Sequence, residues 1–387
     1  MHRIDSDTRE VDKFGTGKDG YTEGDPGTGT PATETTDDHL NAFQEELCGV
    51  VESAGSALVK ADNTQIQVAL NLYAARAGAL IFQHLSSYAT ALQIFDFAWD
   101  DQLEMWIGVG ENTGAVTNTQ RSITGGIIWT TSGVVAKALD LYGVASSGSS
   151  LFVAVGEADG GDAQIQSSVD GLNWTERANP KAFQLNAIEY DGSGLFCAVG
   201  VADGTDAYIV TSPDGTTWTE RANPKNFDLR SVAYDTVNSL WCAVGVSDGS
   251  DSYVVTSPDG STWTERSSMQ NNQLNSVAHD GIGRWVAVGE GDAIITSADG
   301  VTWATASSPV TAGFDVVIFE PASRIWIAAG DTAGSSHMIA SLDGVTWVEV
   351  SNTIAASNAL VSNGKEIMAS DIYDNIYRSC VGIAQLA

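Results

Sequence analysis

Several spacings in this chain match patterns that carry chemistry. Gly15-Thr-Gly17-Lys-Asp-Gly20 has the G-x-G-x-x-G spacing of a pyrophosphate-binding turn. That chemistry needs a strand before the glycines and a helix after them. Polar Arg9-Glu-Val-Asp-Lys13 precedes this run and Tyr21-Thr-Glu-Gly-Asp-Pro26 follows it, so it reads as a loop. Gly245-Val-Ser247-Asp-Gly249 has the G-x-S-x-G spacing of a nucleophile elbow. Its counterparts, Gly200-Val-Ala202-Asp-Gly204 and Gly156-Glu-Ala158-Asp-Gly160, carry Ala at the nucleophile position, so the match reads as drift within a repeat. The five His (His2, His39, His84, His279, His337) show no metal-ligand spacing, and no metal site is assigned. Arg177, Arg221 and Arg266 recur in equivalent Trp-Thr-Glu-Arg units, which places them on separate outer strands rather than around one carboxylate substrate.

Carboxylate pairs are the most promising chemistry. Asp159-Gly-Gly-Asp162, Asp203-Gly-Thr-Asp206 and Asp248-Gly-Ser-Asp251 are repeat-equivalent. Asn179-Pro-Lys181-Ala-Phe183 and Asn223-Pro-Lys225-Asn-Phe227 recur in step with them. Carboxylates and amides suit sugar hydroxyls and hard cations, so Asp159, Asp162, Lys181, Phe183, Asp203, Asp206, Lys225, Phe227, Asp248 and Asp251 form the candidate ligand face. The bland alternative is a set of solvated turn loops. A hard cation such as Ca²⁺ would suit such a face, and no other cofactor is expected.

The elements that position these groups are repeats. Ser168-Val-Asp170-Gly171-Leu-Asn-Trp174 returns as Ser212-Pro-Asp214-Gly215-Thr-Thr-Trp218, then around Asp259 and Trp263, Asp299 and Trp303, and Asp343 and Trp347. A degenerate copy, Ser122-Ile-Thr-Gly125-Gly-Ile-Ile-Trp129, precedes them. A period of about 44 residues is that of a four-stranded propeller blade. Each unit reads as an alternating strand, a nearly all-apolar strand, a third strand, an Asp-Gly hairpin turn and a polar outer strand. The Trp after the turn is placed to fill the gap between blades. Ala359–Ser362, Glu366–Ser370, Asn375–Ser379 and Val381–Leu386 supply a last blade without the motif. The expectation is a mainly β chain, a seven-bladed β-propeller over residues 92–387. An extended arm (1–36) and a short α-helical module (37–91) precede it. Leu40, Phe43, Leu47 and Val50/Val51 mark the first helix, and Ile66, Leu70, Tyr73 and Leu80 the second.

The turn motif resembles the Asp-box of sialidases, shortened by one residue between Asp and Gly. In that family the motif lies away from the reaction centre, so the resemblance implies fold and not activity. The N-terminus carries a second resemblance. Ile4-Asp5, Asp12-Lys13-Phe14-Gly15, Gly17-Lys18-Asp-Gly20-Tyr21, Gly24-Asp-Pro26 and Gly29-Thr-Pro31 occur in order, followed by Gln44-Glu-Glu-Leu47. Together they resemble the attachment region of tailed-phage and prophage tail fibre proteins. The resemblance implies a virion protein made in the host cytoplasm and fastened to tail or baseplate proteins, usually as a homotrimer. The propeller would then be displayed to a host surface glycan or protein. A structural tail adaptor and a glycan-cleaving, sialidase-like enzyme are the alternatives, and the enzyme is disfavoured.

Composition bounds all of this. The formal charge is −31, with 49 Asp and Glu against 18 Lys and Arg. Phosphate backbones repel such a chain, which argues against nucleic acid. No uncharged apolar stretch approaches the ~18 residues of a membrane span, and no signal peptide is visible. The four Cys (Cys48, Cys197, Cys242, Cys380) lie far apart and read as free thiols.

Overall fold

The computed structural model describes residues 44–45, 47–52, 83–84, 93–112, 118–131, 137, 139–160, 163–332, 335–350, 357–371 and 375–380. The chain divides into two units, residues 1–73 and 74–387. In the first, residues 44–45 and 47–52 are helical and Val51 is buried, in the stretch where the apolar spacing predicts a helix. The attachment residues (Ile4, Asp5, Lys13, Phe14, Gly15, Gly17, Lys18, Gly20, Tyr21, Pro26, Pro31), the second predicted helix and Asp162 lie outside the described residues.

The second unit is a seven-bladed propeller of four-stranded antiparallel sheets. The innermost strands are Ile94–Asp100, Leu141–Ser146, Leu185–Tyr190, Leu229–Asp235, Leu274–His279, Val316–Glu320 and Ser357–Ser362. Six blades use four consecutive strands. The seventh does not: its outermost strand is Gln83–His84, paired antiparallel with Ile376–Cys380. This corrects the expectation that Val381–Leu386 completes the last blade; those residues lie outside the described set. The ring therefore closes with a strand from upstream of the first blade, which removes an open edge at the seam.

The second strands are apolar on both faces because blades pack on each other. Val153, Val155 and Ile165 of blade 2 share one buried cluster with Leu185, Ile188, Tyr208, Val210 and Trp218 of blade 3. The motif Trp residues 129, 174, 218, 263, 303 and 347 are all buried. Truncating any of them removes a large side chain from a packed interface, at about 3–5 kcal/mol.

The Asp-Gly turn is built as its residue types dictate. The Asp170 carboxylate accepts the N–H of Leu172 and of Asn173, both at 2.8 Å, and the Ser168 hydroxyl at 3.0 Å. Burial pushes this carboxyl up, but the donors outweigh it and hold the pKa at about 2. Asp214, Asp259, Asp299 and Asp343 repeat the arrangement. The glycine turns the chain at positive φ and presses on the preceding blade: a Cβ on Gly171 (φ 62°) would lie 2.5 Å from Ile107. In the degenerate copy Thr124 takes the Asp role, accepting the Ile128 N–H at 2.8 Å, with one extra residue before the glycine. A Cβ on Gly126 there would lie 2.7 Å from Met368 of blade 7, so the first turn seats on the last blade and the ring is closed.

Candidate binding site at the channel mouth

Of the carboxylates in the acidic loops, Asp159, Asp203 and Asp248 are each paired with a lysine. The Lys181 ammonium bridges Asp203 and Glu220. Lys225 repeats this with Asp248 at 2.8 Å and Glu265 at 2.5 Å. A third, unpredicted member is Lys137, 3.2 Å from Asp159 and 2.8 Å from Glu176. Each lysine comes from the segment entering a blade and ties that blade's second loop to its outer strand. Asp203 drives the Lys181 pKa up, with Glu220 adding to it, and Lys181 holds Asp203 down at about 2.

The remaining members of this face serve the same latch. Asp206 accepts the Asn223 N–H at 3.2 Å, and Asp251 the Ser268 N–H at 3.0 Å. The Tyr208 hydroxyl accepts the Lys181 N–H at 3.0 Å and donates to Asn179. Tyr253 does likewise with Lys225 and Asn223. Phe183 and Phe227 lie edge-on to these tyrosines, at 6.1 and 6.0 Å between ring centres. Asp203, Asp206 and Glu220 bring three ligand oxygens within 4.8 Å of one another, but the Lys181 ammonium already sits on two of them.

A different group of side chains converges where the sequence reading did not look. In six of the seven inner strands the register skips one residue against the neighbouring strand. The skipped residues are Phe95, Tyr142, Asn186, Arg230, Asn275 and Asn358. A β-bulge of this kind re-aims the extra side chain. Together with Asp315, the equivalent residue of blade 6, all of them line the central channel. In five of the six bulged blades a glycine faces the bulge. The Asp228 carbonyl accepts the Val246 N–H at 3.0 Å, and a Cβ on Gly245 would lie 1.9 Å from that oxygen. Gly110, Gly156, Gly200 and Gly289 stand in the same relation to Gln93, Asp140, Gln184 and Gln273, at 1.8–2.0 Å.

At this end the channel opens into a cavity of about 420 Å³ lined by Tyr142, Gln184, Asn186, Val201, Asp228, Arg230, Gln273, Asn275, Glu290 and Asp315. Its amides are held in place. Gln184 donates to Asn186 at 2.8 Å, and Asn186 donates to the Leu229 carbonyl at 2.7 Å. Gln273 donates to Asn275 at 2.9 Å and to Glu290 at 3.0 Å, and Asn275 donates to the Phe314 carbonyl at 3.0 Å. Asp228 accepts the Ala202 N–H at 2.7 Å. Deeper in the channel sit Asp96 and Glu189, both pushed up to about 7, chiefly by burial. The sequence carries a faint signal for this site in blades 1–5: after the apolar residue that opens the inner strand (Ile94, Leu141, Leu185, Leu229, Leu274) comes one position whose type changes from blade to blade.

No protein-family model matches the chain. A 70-residue stretch is 54% identical to the uncharacterized protein StfP of Escherichia coli strain K12. That stretch is 18% of this chain and 34% of the relative, so the chain spans about a third of the curated protein it matches. Among solved structures, YCF48 bound to D1 peptide superposes with a TM-score of 0.61 at 18% identity, over 79% of this chain and 97% of that one. YCF48 from Cyanidioschyzon merolae superposes with a TM-score of 0.59 at 15% identity, over 77% and 98%. At these identities the likeness is one of fold, and it agrees with the seven blades described above. The Arg177, Arg221 and Arg266 side chains are each tied to a hydroxyl of the adjoining strand, at 2.7–2.8 Å, on three different blades. Cys197 and Cys242 are buried free thiols, and Cys48 is a half-buried one. Among the described residues no helix is long and apolar enough to cross a membrane.

Proposed function

We propose that the chain is a tail-fibre-type virion protein. Residues 1–91 fasten it to tail or baseplate proteins as a homotrimer, and the propeller binds a host surface component without turning it over. The observation that carries the binding role is the channel mouth. The bulged positions Tyr142, Asn186, Arg230 and Asn275 bring an aromatic, two amides and one guanidinium to one opening, beside the carboxylates of Asp228, Glu290 and Asp315. Polar groups of mixed type converging in a concave site are the usual mark of ligand recognition. The ordered N-terminal blocks support the attachment role. A 70-residue segment of the chain recurs in the bacterial protein StfP.

The test is adsorption. The purified full chain, added to host cells, adsorbs and protects them from infection by particles that carry it. Cells that neither bind the chain nor gain protection overturn the reading. A second reading is a structural adaptor whose propeller grips another virion protein, and the peptide-bound YCF48 propeller favours it. Under that reading the chain binds disrupted particles and not cells. Turnover of surface polysaccharide or sialosides would instead make the chain an enzyme. Deleting residues 1–36 leaves the propeller folded but absent from particles; normal incorporation would refute the attachment role.

A further inference from the structure

We infer that the channel mouth is a saccharide site that takes an uncharged pyranose ring, an inference that rests on the receptor-binding reading above. The cavity, about 420 Å³, has the size of a small-molecule site. Its charge pattern selects among guests. One guanidinium, Arg230, shares the opening with the carboxylates of Asp228, Glu290 and Asp315. A phosphate or carboxylate guest meets three like charges, and a bare cation meets the guanidinium. A ring of vicinal hydroxyls carries no net charge, donates to the carboxylates and accepts from Arg230, so it satisfies both kinds of group.

The amides add to this selection. Asn186 and Asn275 are each fixed by one donated and one accepted bond, so their orientation is set before any guest arrives. Each Asn amide retains a second N–H and further acceptor capacity. Pre-set polar groups of both senses cost little ordering on binding, which matters for a guest with weak individual contacts. The Tyr142 ring supplies an apolar wall and is braced by Phe95, with ring centres 5.6 Å apart. An aromatic face suits the C–H face of a pyranose. An extended peptide would use the same amides, but it has no need of three carboxylates beside one guanidinium.

The test uses the full chain and saturation-transfer NMR with free hexoses, 6-deoxyhexoses and N-acetylhexosamines as probes. At least one sugar receives saturation. Arg230→Gln, an exposed change that leaves the fold intact, weakens binding about three- to tenfold, the effect of one or two lost hydrogen bonds. Tyr142→Ala weakens it by at least as much. Ile282→Ser, exposed at an inner-strand turn, leaves it unchanged. No transfer to any sugar overturns the inference, as does transfer that survives both mouth variants, and so does binding of unglycosylated peptides alone. If the chain adsorbs to cells and the mouth variants adsorb equally, this inference falls and the receptor reading stands. If a sugar binds at the mouth but cells are not bound, the receptor reading falls and the site stands.

Discussion

The indole N–H of Trp106, in the first blade, donates to the carboxylate of Glu366, in the last, at 2.7 Å across 260 positions of sequence. Glu366 is buried and also receives Arg378 from the adjoining strand. One carboxylate therefore holds both sides of the seam. Ser370 adds a second tie by donating to the Ile94 carbonyl at 2.8 Å. Glu366→Leu leaves an indole N–H and a guanidinium without their acceptor. Allowing for the partial exposure of Arg378, it costs about 2–4 kcal/mol, read as a shift of the urea midpoint. A midpoint that does not move would show that the seam is held elsewhere.

The outermost strand of blade 7 makes a second, separable prediction. A fragment of residues 74–387 keeps Gln83–His84, and a fragment of residues 92–387 lacks it. The shorter fragment melts lower and exposes the edge of Ile376–Cys380, so it self-associates more on warming. Equal melting temperatures and equal light scattering would remove the closing role of that strand.

Gly245→Ala tests the bulge. The new methyl would fall on the Asp228 carbonyl, so the inner strand must shift by well over an ångström. The expected cost is at least about 3 kcal/mol, and the Arg230 side chain loses its aim. Gly249→Ala, in an open loop on the same blade, serves as the comparison: its backbone is at positive φ, unlike that of Gly245, but a Cβ there meets nothing within 4 Å. If the two variants lose equal stability, the close approach is not what matters.

The channel carboxyls set a pH slope. Asp96 and Glu189 ionise near 4 in the unfolded chain but hold their protons to about 7 in the fold. The folded state thus binds more protons than the unfolded between those values. Their contribution to stability is fullest below about pH 4 and is lost as pH rises through about 7. Asp170 and Asp203, held at about 2, act in the opposite sense and only below about pH 4. The melting temperature should be higher at about pH 5 than at about pH 8, and Glu189→Gln should reduce that difference. An identical difference in the variant would acquit Glu189.

Much of the scaffold was legible before any coordinates. The Asp-Gly turns and Trp residues stand at a fixed period because each does a local job with residue types that hardly anything else can replace. The apolar second strands were legible because burial on both faces removes their alternation. The seam was not. Gln83–His84 is two residues long and carries no pattern, so nothing local marks it as a strand. The lysine latch is half legible: Lys181 and Asp203 both belong to the candidate face that the repeats mark, yet their pairing depends on how the entering segment crosses the blade. The channel mouth escaped because a bulge inserts one residue without disturbing the apolar positions around it. Its side chains differ from blade to blade, and a search for repeated residues passes over them.

The strand order at the seam also fixes how mechanical load enters the molecule. The chain arriving from the N-terminal side is first woven into the rim of blade 7 and only then starts blade 1 at Ile94. A pull on that end is taken up at two neighbouring blades at once. Trp106, Glu366 and Ser370 tie those two blades together across the seam. In single-molecule stretching from the N-terminus, the first rupture should occur at this seam. Glu366→Leu should lower its force and leave the later ruptures of blades 2–6 unchanged.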